Sequence, residues 1–350
     1  MFTFSVMGVN QALPMGLDLL EERGVYISPR GTLTLEYPEA VATTYMLPRY
    51  RVLFQPLRNK NHFFEFFEAL WILAGRSDVA FLTQFNKRMA EYSDNGTIFH
   101  APYGYRLRKA QGFDQIQAVI ELLKKDPDTR QAVLQIWDAS KDLNRVPTLD
   151  TPCNDLLFLK IRNGRLNLSV ANRSNDVIWG AYGTNVVQFS MLQEYIAMYL
   201  SIPVGRYTQI SDSFHVYPDN PLWEKLSKIH IATTLDPYDD PYAKSALLQS
   251  VGSATDSPGF VCPTPFILEG ELPEDWTHDL IEFFLRWDSS PKDLVNKDWS
   301  VFFRTDYFRR TVLPMYWAWT TREVSRLTEM PAYSDWRLGG EIWFANREQK

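Results

Sequence analysis

Residues 156–200 constrain the fold more tightly than any other stretch. Two apolar runs, 156–161 and 166–170, flank Asn163-Gly164. Both turn residues accept a positive φ, so the segment predicts a β-hairpin. Residues 185–200 follow and are apolar on most sides. A helix of that character has no face to offer water and predicts burial. The chain has 350 residues and is 45% apolar, so it can supply a sizeable core. Length alone allows two domains or one large α+β domain with embellishments.

Other segments add detail. Residues 61–74 read as a helix, with Phe63, Phe64, Phe67, Leu70, Trp71 and Leu73 on a broad apolar surface and Gly75 as a stop. Residues 114–125 show helical spacing through Ile116, Val119, Ile120 and Leu123, closed by Asp126-Pro127. Residues 132–137 suit a short strand. The composition shifts near Ala232, and prolines, aspartates and small residues make 233–264 read as loop or linker. Aromatic-rich helices over 279–287 and 312–327 come next. The expected organisation is a core over 1–232 and, over 233–350, a linker and helical elaboration packed on it.

A net charge of −6 argues against a surface that coats nucleic acid, while leaving a local cationic pocket open. The two cysteines, Cys153 and Cys262, make no disulfide framework, and a reducing compartment is the simpler reading. The first twenty residues lack a basic segment followed by an apolar run, and no apolar run reaches the roughly 18 residues of a membrane span. A cytoplasmic protein that spans no membrane is expected.

Three fragments carry chemistry. Thr151-Pro152-Cys153-Asn154 precedes the hairpin, and a cysteine at a sheet edge becomes a nucleophile if nearby cations favour the thiolate. Alone, such a cysteine is more often a small buried hydrophobe. Asn172-Arg173-Ser174-Asn175-Asp176 leaves the second strand of the hairpin, and its arginine can bind a phosphate through its planar fork. The same run could be a solvated turn. In Ser213-Phe214-His215-Val216-Tyr217, His215 and Tyr217 share one face of a strand and suit a sugar hydroxyl, or else pack as structural residues.

Together these fragments resemble the thymidylate synthase family. Asp126-Pro127-Asp128-Thr129-Arg130, Pro152-Cys153, Arg173-Ser174-Asn175-Asp176, Asn185 and His215-Val216-Tyr217 occur in that family's order and near its spacing. Upstream, Arg30-Gly31-Thr32-Leu33 resembles its phosphate-binding arginine loop. Glu68-Ala69-Leu70-Trp71 resembles its helix with a buried glutamate, and Ala101-Pro102-Tyr103-Gly104 its tyrosine loop.

The resemblance implies an α+β fold: a large mixed sheet flanked by helices, with two sheets packed back to back in a homodimer. It implies a one-carbon transferase acting on a pyrimidine nucleoside monophosphate with 5,10-methylenetetrahydrofolate, and no metal, polymeric nucleic acid or membrane. Cys153 would attack C6, and C5 would then capture the folate methylene. Arg30, Arg173 and the partner subunit's Arg130 would surround the phosphate, which Ser174 would touch, and their charge would favour the thiolate. Glu68 would order water and move protons, and Tyr103 would support proton removal from C5. Asp176 would hold the pterin. His215 and Tyr217 would grip the sugar.

The loop from Gly180 to Asn185 is one residue longer than the family's. With the insertion in the loop, Asn185 reads the base; without it, Thr184 takes that place. An amide can donate to O4 and accept from N3–H of uracil. Cytosine-specific relatives use an aspartate, so Asn185 favours dUMP over dCMP or CMP. Asn154 stands where the synthases have a histidine, and Gln131 where they have a second arginine. Met89 and Tyr92 occupy the folate-facing positions of two tryptophans, the first of which packs near the exocyclic methylene during hydride delivery. Without that indole, water can add instead. The expected enzyme is a hydroxymethylase giving 5-hydroxymethyl-dUMP; the alternatives are thymidylate synthase and dCMP or CMP hydroxymethylase. A cysteine hydrolase would use Cys153 and His215 but gives no reason for three separated arginines. A non-catalytic nucleotide-binding protein would be expected to lack Cys153 or Glu68.

Overall fold

The computed structural model describes residues 1–143, 147–229, 231, 234–252, 259–296 and 299–348. They form two units, Met1–Leu53 with Phe67–Thr234, and Phe54–Phe66 with Leu235–Lys350, and the division passes through the helix His62–Leu73. The first unit is built on a mixed sheet of β1 (Phe2–Val6), β2 (Val25–Ile27), β3 (Thr34–Tyr37), β4 (Val41–Tyr45), β5 (Val133–Gln135), β6 (Asn154–Arg162), β7 (Arg165–Asp176) and β8 (Val204–Val216). The hydrogen-bonded order is β1-β4-β8-β7-β6-β5, with β3 also on β8 and β2 on β3. The β1/β4 and β7/β8 pairs are parallel and the others antiparallel. This is the large mixed sheet with flanking helices that the sequence led us to expect.

The hairpin turns where its chemistry requires. Asn163 (φ 52°) and Gly164 (φ 68°) both take the left-handed conformation. Along β7, Leu166, Leu168 and Val170 alternate onto one buried face. The helix Asn185–Tyr199 lies against β7 and β8, and every residue from Asn185 to Met198 is buried. That explains why no polar stripe is legible in it. Its polar side chains find partners inside the protein, although Gln188 Oε1 and Gln193 Oε1 accept no hydrogen bond from the described residues. Gln193 donates to the carbonyls of Leu166 (2.7 Å) and Arg206 (3.1 Å), and Glu194 pairs with Arg51 and with Arg49 (3.2 Å). A carboxylate buried without such partners would cost several kcal/mol.

The second unit is helical, with helices Ala243–Ser250, Pro273–Ser289, Leu313–Thr321 and Asp335–Glu348. Aromatic contacts fill its core: Phe266 stacks on Trp276 at 4.7 Å, and Trp319 meets Trp343 at 5.0 Å. Two expectations need correcting. The presumed linker 233–264 contains the helix Ala243–Ser250, which buries Leu247 and Leu248; residues 233 and 253–258 of that stretch lie outside the described residues. Good helix formers there were hidden by flanking prolines and aspartates. The single helix expected over 312–327 stops at Thr321, where Arg322 turns left-handed (φ 63°), and a 3-10 segment Val324–Glu329 follows. Among the described residues, no helix is long and apolar enough to cross a membrane.

Asp279 ties this unit together. It is fully buried and accepts from the backbone N–H groups of Arg304 (2.9 Å) and Thr305 (2.8 Å) and from the Thr305 hydroxyl (2.8 Å). Asp279→Ala strands all three donors and should destabilise the chain by roughly 3 kcal/mol. Urea unfolding followed by tryptophan fluorescence checks this, and a shift below about 0.5 kcal/mol would contradict it.

Candidate active site

The register of the hairpin brings the proposed nucleophile to its cation. Arg162 faces Arg165, and after an irregularity between Asn154 and Leu156, Asn154 faces Asn172. One step further out, the Arg173 N–H donates to the Cys153 carbonyl (3.0 Å). The guanidinium folds back over the loop before β6. Its Nε donates to the Pro152 carbonyl (2.7 Å), and its Nη2 donates to the Thr151 carbonyl (3.1 Å) and lies 3.8 Å from Cys153 Sγ. The Trp137 ring lies 5.7 Å from the guanidinium.

Arg173 and Arg30 favour the thiolate, but burial outweighs them. Burial pushes the Cys153 thiol above its ordinary value; Asp150 and Asp155 push the same way, and Arg173 and Arg30 only partly offset them. Asp155, at the hairpin irregularity, is itself raised to about 6, chiefly by burial, with Arg173 opposing. Both cysteines are free thiols.

Sγ faces a cavity of about 400 Å³, within the range of small-molecule sites. Arg30 reaches it from a turn in which it takes φ 55°, with Gly31 beside it at φ 81°. Arg173 and Ser174 line it from β7, and Asp176 from the end of that strand. The carboxylate of Asp176 also caps the following turn, accepting from Ile178 N–H (2.8 Å) and Trp179 N–H (3.3 Å). Glu68 enters from the helix His62–Leu73 and accepts a hydrogen bond from Gln188 Nε2 (2.6 Å). Met89 and Tyr92 enter from the 3-10 turn Lys87–Tyr92.

Tyr103 lines the cavity beside Cys153, and burial holds its hydroxyl far above the ordinary phenol range, so it stays protonated. Asn154, wholly buried, sits near that hydroxyl, but its amide atoms make no hydrogen bond of ordinary geometry. His215 and Tyr217 also line it, with rings 5.3 Å apart, and His215 sits beside Asp176 in the β7/β8 register. Ser213 gives its hydroxyl proton to Glu36, so its oxygen accepts from His215 Nδ1 (3.0 Å). That fixes the imidazole tautomer and leaves Nε2 as an acceptor.

Of the residues given a catalytic or binding role in the sequence, Arg130 does not line the cavity; it is exposed beyond the helix Gln115–Lys125, and Gln131 and Asn154, noted there as departures, do not line it either. Asn185 lines it and donates to Asn175 Oδ1 (3.0 Å), while Thr184, the alternative base reader, lines it too. Lining residues that the sequence reading gave no role include Gln188, Asp150 and Trp179, an indole 44% exposed. The spacing of Gln188, one turn after Asn185 on the same helix, was the available signal. Among the described residues, no group of three or more His, Cys, Asp or Glu side chains is disposed to hold a metal.

The site thus sets a thiol beside a guanidinium at the wall of a ligand-sized cavity. The chain belongs to the thymidylate synthase family, whose model matches residues 51–238, and it is a one-carbon transferase. The deoxyuridylate hydroxymethyltransferase of Pseudomonas phage M6 is 38% identical over 353 residues, covering 97% of this chain and 92% of its own length. That of Bacillus phage SP01 is 44% identical over 243 residues, covering 66% and 63%. A putative thymidylate synthase of Methanococcoides burtonii is 35% identical over 156 residues, covering 41% and 67%. The M6 alignment covers nearly the whole chain, whereas the family model ends at 238.

The raised thiol has a direct consequence. In a Cys262→Ser background, alkylation of Cys153 by iodoacetamide should rise with pH along a curve displaced above the ordinary cysteine value of about 8.5. Arg173→Met removes a lowering charge and should displace it further. Half-maximal reactivity below that value would contradict the balance described.

Proposed function

We propose that this chain hydroxymethylates C5 of dUMP through a covalent bond between Cys153 Sγ and C6. The observation that carries the reading is the Cys153–Arg173 pair facing a cavity that also holds Glu68, Tyr103 and Asn185. The names of the two phage relatives support the hydroxymethyl product.

In this reading the phosphate meets Arg30, Arg173 and Ser174, with the partner subunit's Arg130 completing the set. An exposed Arg130 outside its own chain's cavity supports a homodimer with sheets back to back. His215 Nε2 and Tyr217 hold the sugar. As Sγ bonds to C6, the thiol proton leaves and the ring electrons move toward O4, making C5 nucleophilic. Bound methylenetetrahydrofolate supplies the one carbon. Flat and thioether side chains suit its rings, and Met89, Tyr92 and Trp179, with Asp176 and Glu68, would hold it. Tyr103, kept protonated, holds the water that receives the C5 proton, and Glu68, positioned by Gln188, orders water at O4.

The product is decided at the exocyclic methylene on the pyrimidine. Addition of hydride there gives methyl and addition of water gives hydroxymethyl; in either case the ring electrons then return from O4, re-form the C5–C6 double bond and expel Cys153 Sγ. Two indoles line the cavity, Trp71 from the helix His62–Leu73 and Trp179 from the segment after β7, whereas the two positions read as replacing the synthases' tryptophans hold the flexible Met89 and the hydroxyl of Tyr92. A difference of about 1.4 kcal/mol between the competing barriers changes the ratio tenfold.

Turnover of dUMP with methylenetetrahydrofolate should yield 5-hydroxymethyl-dUMP by mass, with no rise in dihydrofolate absorbance. Dihydrofolate appearing in step with dTMP would overturn the reading in favour of thymidylate synthase, and Met89→Trp should move part of the product to methyl. Cys153→Ser should abolish exchange of the C5 hydrogen with solvent, and Cys262→Ser should retain it; the reverse pattern would contradict the assignment of the nucleophile.

A further inference from the structure

We propose that Asn175 and Gln209 are positioning residues that set the choice of base, by fixing which way the Asn185 amide faces the cavity. The proposal rests on the reading that Asn185 meets the pyrimidine. An amide has nearly the same shape in either flip, so an amide that reads a base discriminates only if something fixes its orientation.

Here a chain of hydrogen bonds does so. It begins at the Ala181 carbonyl, which can only accept. Gln209 Nε2 donates to it (2.8 Å) and to Tyr45 Oη (3.3 Å). Gln209 therefore turns Oε1 to Asn175, whose Nδ2 donates to it (3.0 Å) and to Ser211 Oγ (2.9 Å). Asn175 is left with Oδ1, which accepts from Asn185 Nδ2 (3.0 Å). The backbone carbonyl at the start gives every step one sense only. Asn185 then offers the cavity Oδ1 and one N–H.

That pair complements a ring that donates at N3 and accepts at O4, as uracil does. Cytosine accepts at N3 and donates at N4, so it needs the amide reversed. Reversal sets Asn185 Oδ1 against Asn175 Oδ1. Relieving that clash reverses Asn175 and Gln209 in turn, until Gln209 Oε1 faces the Ala181 carbonyl. Asn175 and Gln209 are each 1% exposed, so no bulk water relieves the mismatch at any step. Gly180 closes the side of the chain: a Cβ there would lie 2.9 Å from Asn175 Oδ1 and 3.2 Å from Asn185 Nδ2. Gln209 does not line the cavity, so it would act only through Asn175.

The test is the ratio of dissociation constants for dCMP and dUMP, measured by calorimetry on the full chain and on Gln209→Met, Asn175→Ala and Asn185→Ala. Wild type should favour dUMP by at least about a hundredfold, as expected where buried polar groups match one ligand. Gln209→Met and Asn175→Ala should each cut that ratio by about tenfold or more. A merely structural defect would weaken both nucleotides together and leave the ratio in place. A wild type without preference for dUMP, or an Asn185→Ala variant that keeps the preference, removes the base-reading assignment and the relay with it. If Asn185→Ala loses the preference while the other two keep it within about twofold, the relay alone is overturned. Should either relay variant fail to fold, the other decides.

Discussion

The register of the β6–β7 hairpin is the constraint on which the site depends. Asn163 and Gly164 admit the left-handed turn, and the ladder running back from them places the Cys153 carbonyl on the Arg173 N–H. A slip of one residue would turn each side chain to the other face of the sheet. It would remove Arg173 from the carbonyls of Thr151 and Pro152 and from the thiol. It would also expose Leu166, Leu168 and Val170, which form the apolar face of β7. The same hydrophobic pattern that stabilises the sheet therefore aligns Cys153 with Arg173.

Burial then shapes their chemistry. It raises Cys153 against the pull of two arginines and keeps Tyr103 protonated. With its pKa raised, the Cys153 thiol offers less thiolate to bulk electrophiles near neutral pH than an ordinary cysteine does. Buried polar residues near Asn185 act by orientation. Gln188 fixes Glu68, Ser213 fixes His215, and Asn175 fixes Asn185. Each interaction has a single sense because it ends on a group, such as a carboxylate or a backbone carbonyl, that can only accept.

Much of this was legible in the sequence, for identifiable reasons. The Asn-Gly turn and the all-round apolar helix are local patterns with one physical reading each. Polar motifs such as Arg173-Ser174-Asn175-Asp176 stand out because such runs are rare at the end of an apolar strand. Other features were hidden. Val25–Ile27 is an exposed three-residue edge strand with no alternation to detect. The helix Ala243–Ser250 is short and bracketed by helix breakers. Gln209 sits in the middle of β8, where its sequence neighbours give no sign that it reaches Ala181. The balance between burial and charge at Cys153 depends on depth, which spacing does not encode.

The central claim is that Cys153 bonds to C6 of a uracil nucleotide. Replacing the C5 hydrogen by fluorine tests it directly, because fluorine cannot leave as the proton does and the adduct should persist. The chain incubated with 5-fluoro-dUMP and methylenetetrahydrofolate, then digested and analysed by mass, should carry the nucleotide on the peptide containing Cys153. Nucleotide bound without covalent mass, or attached at Cys262, would contradict the account.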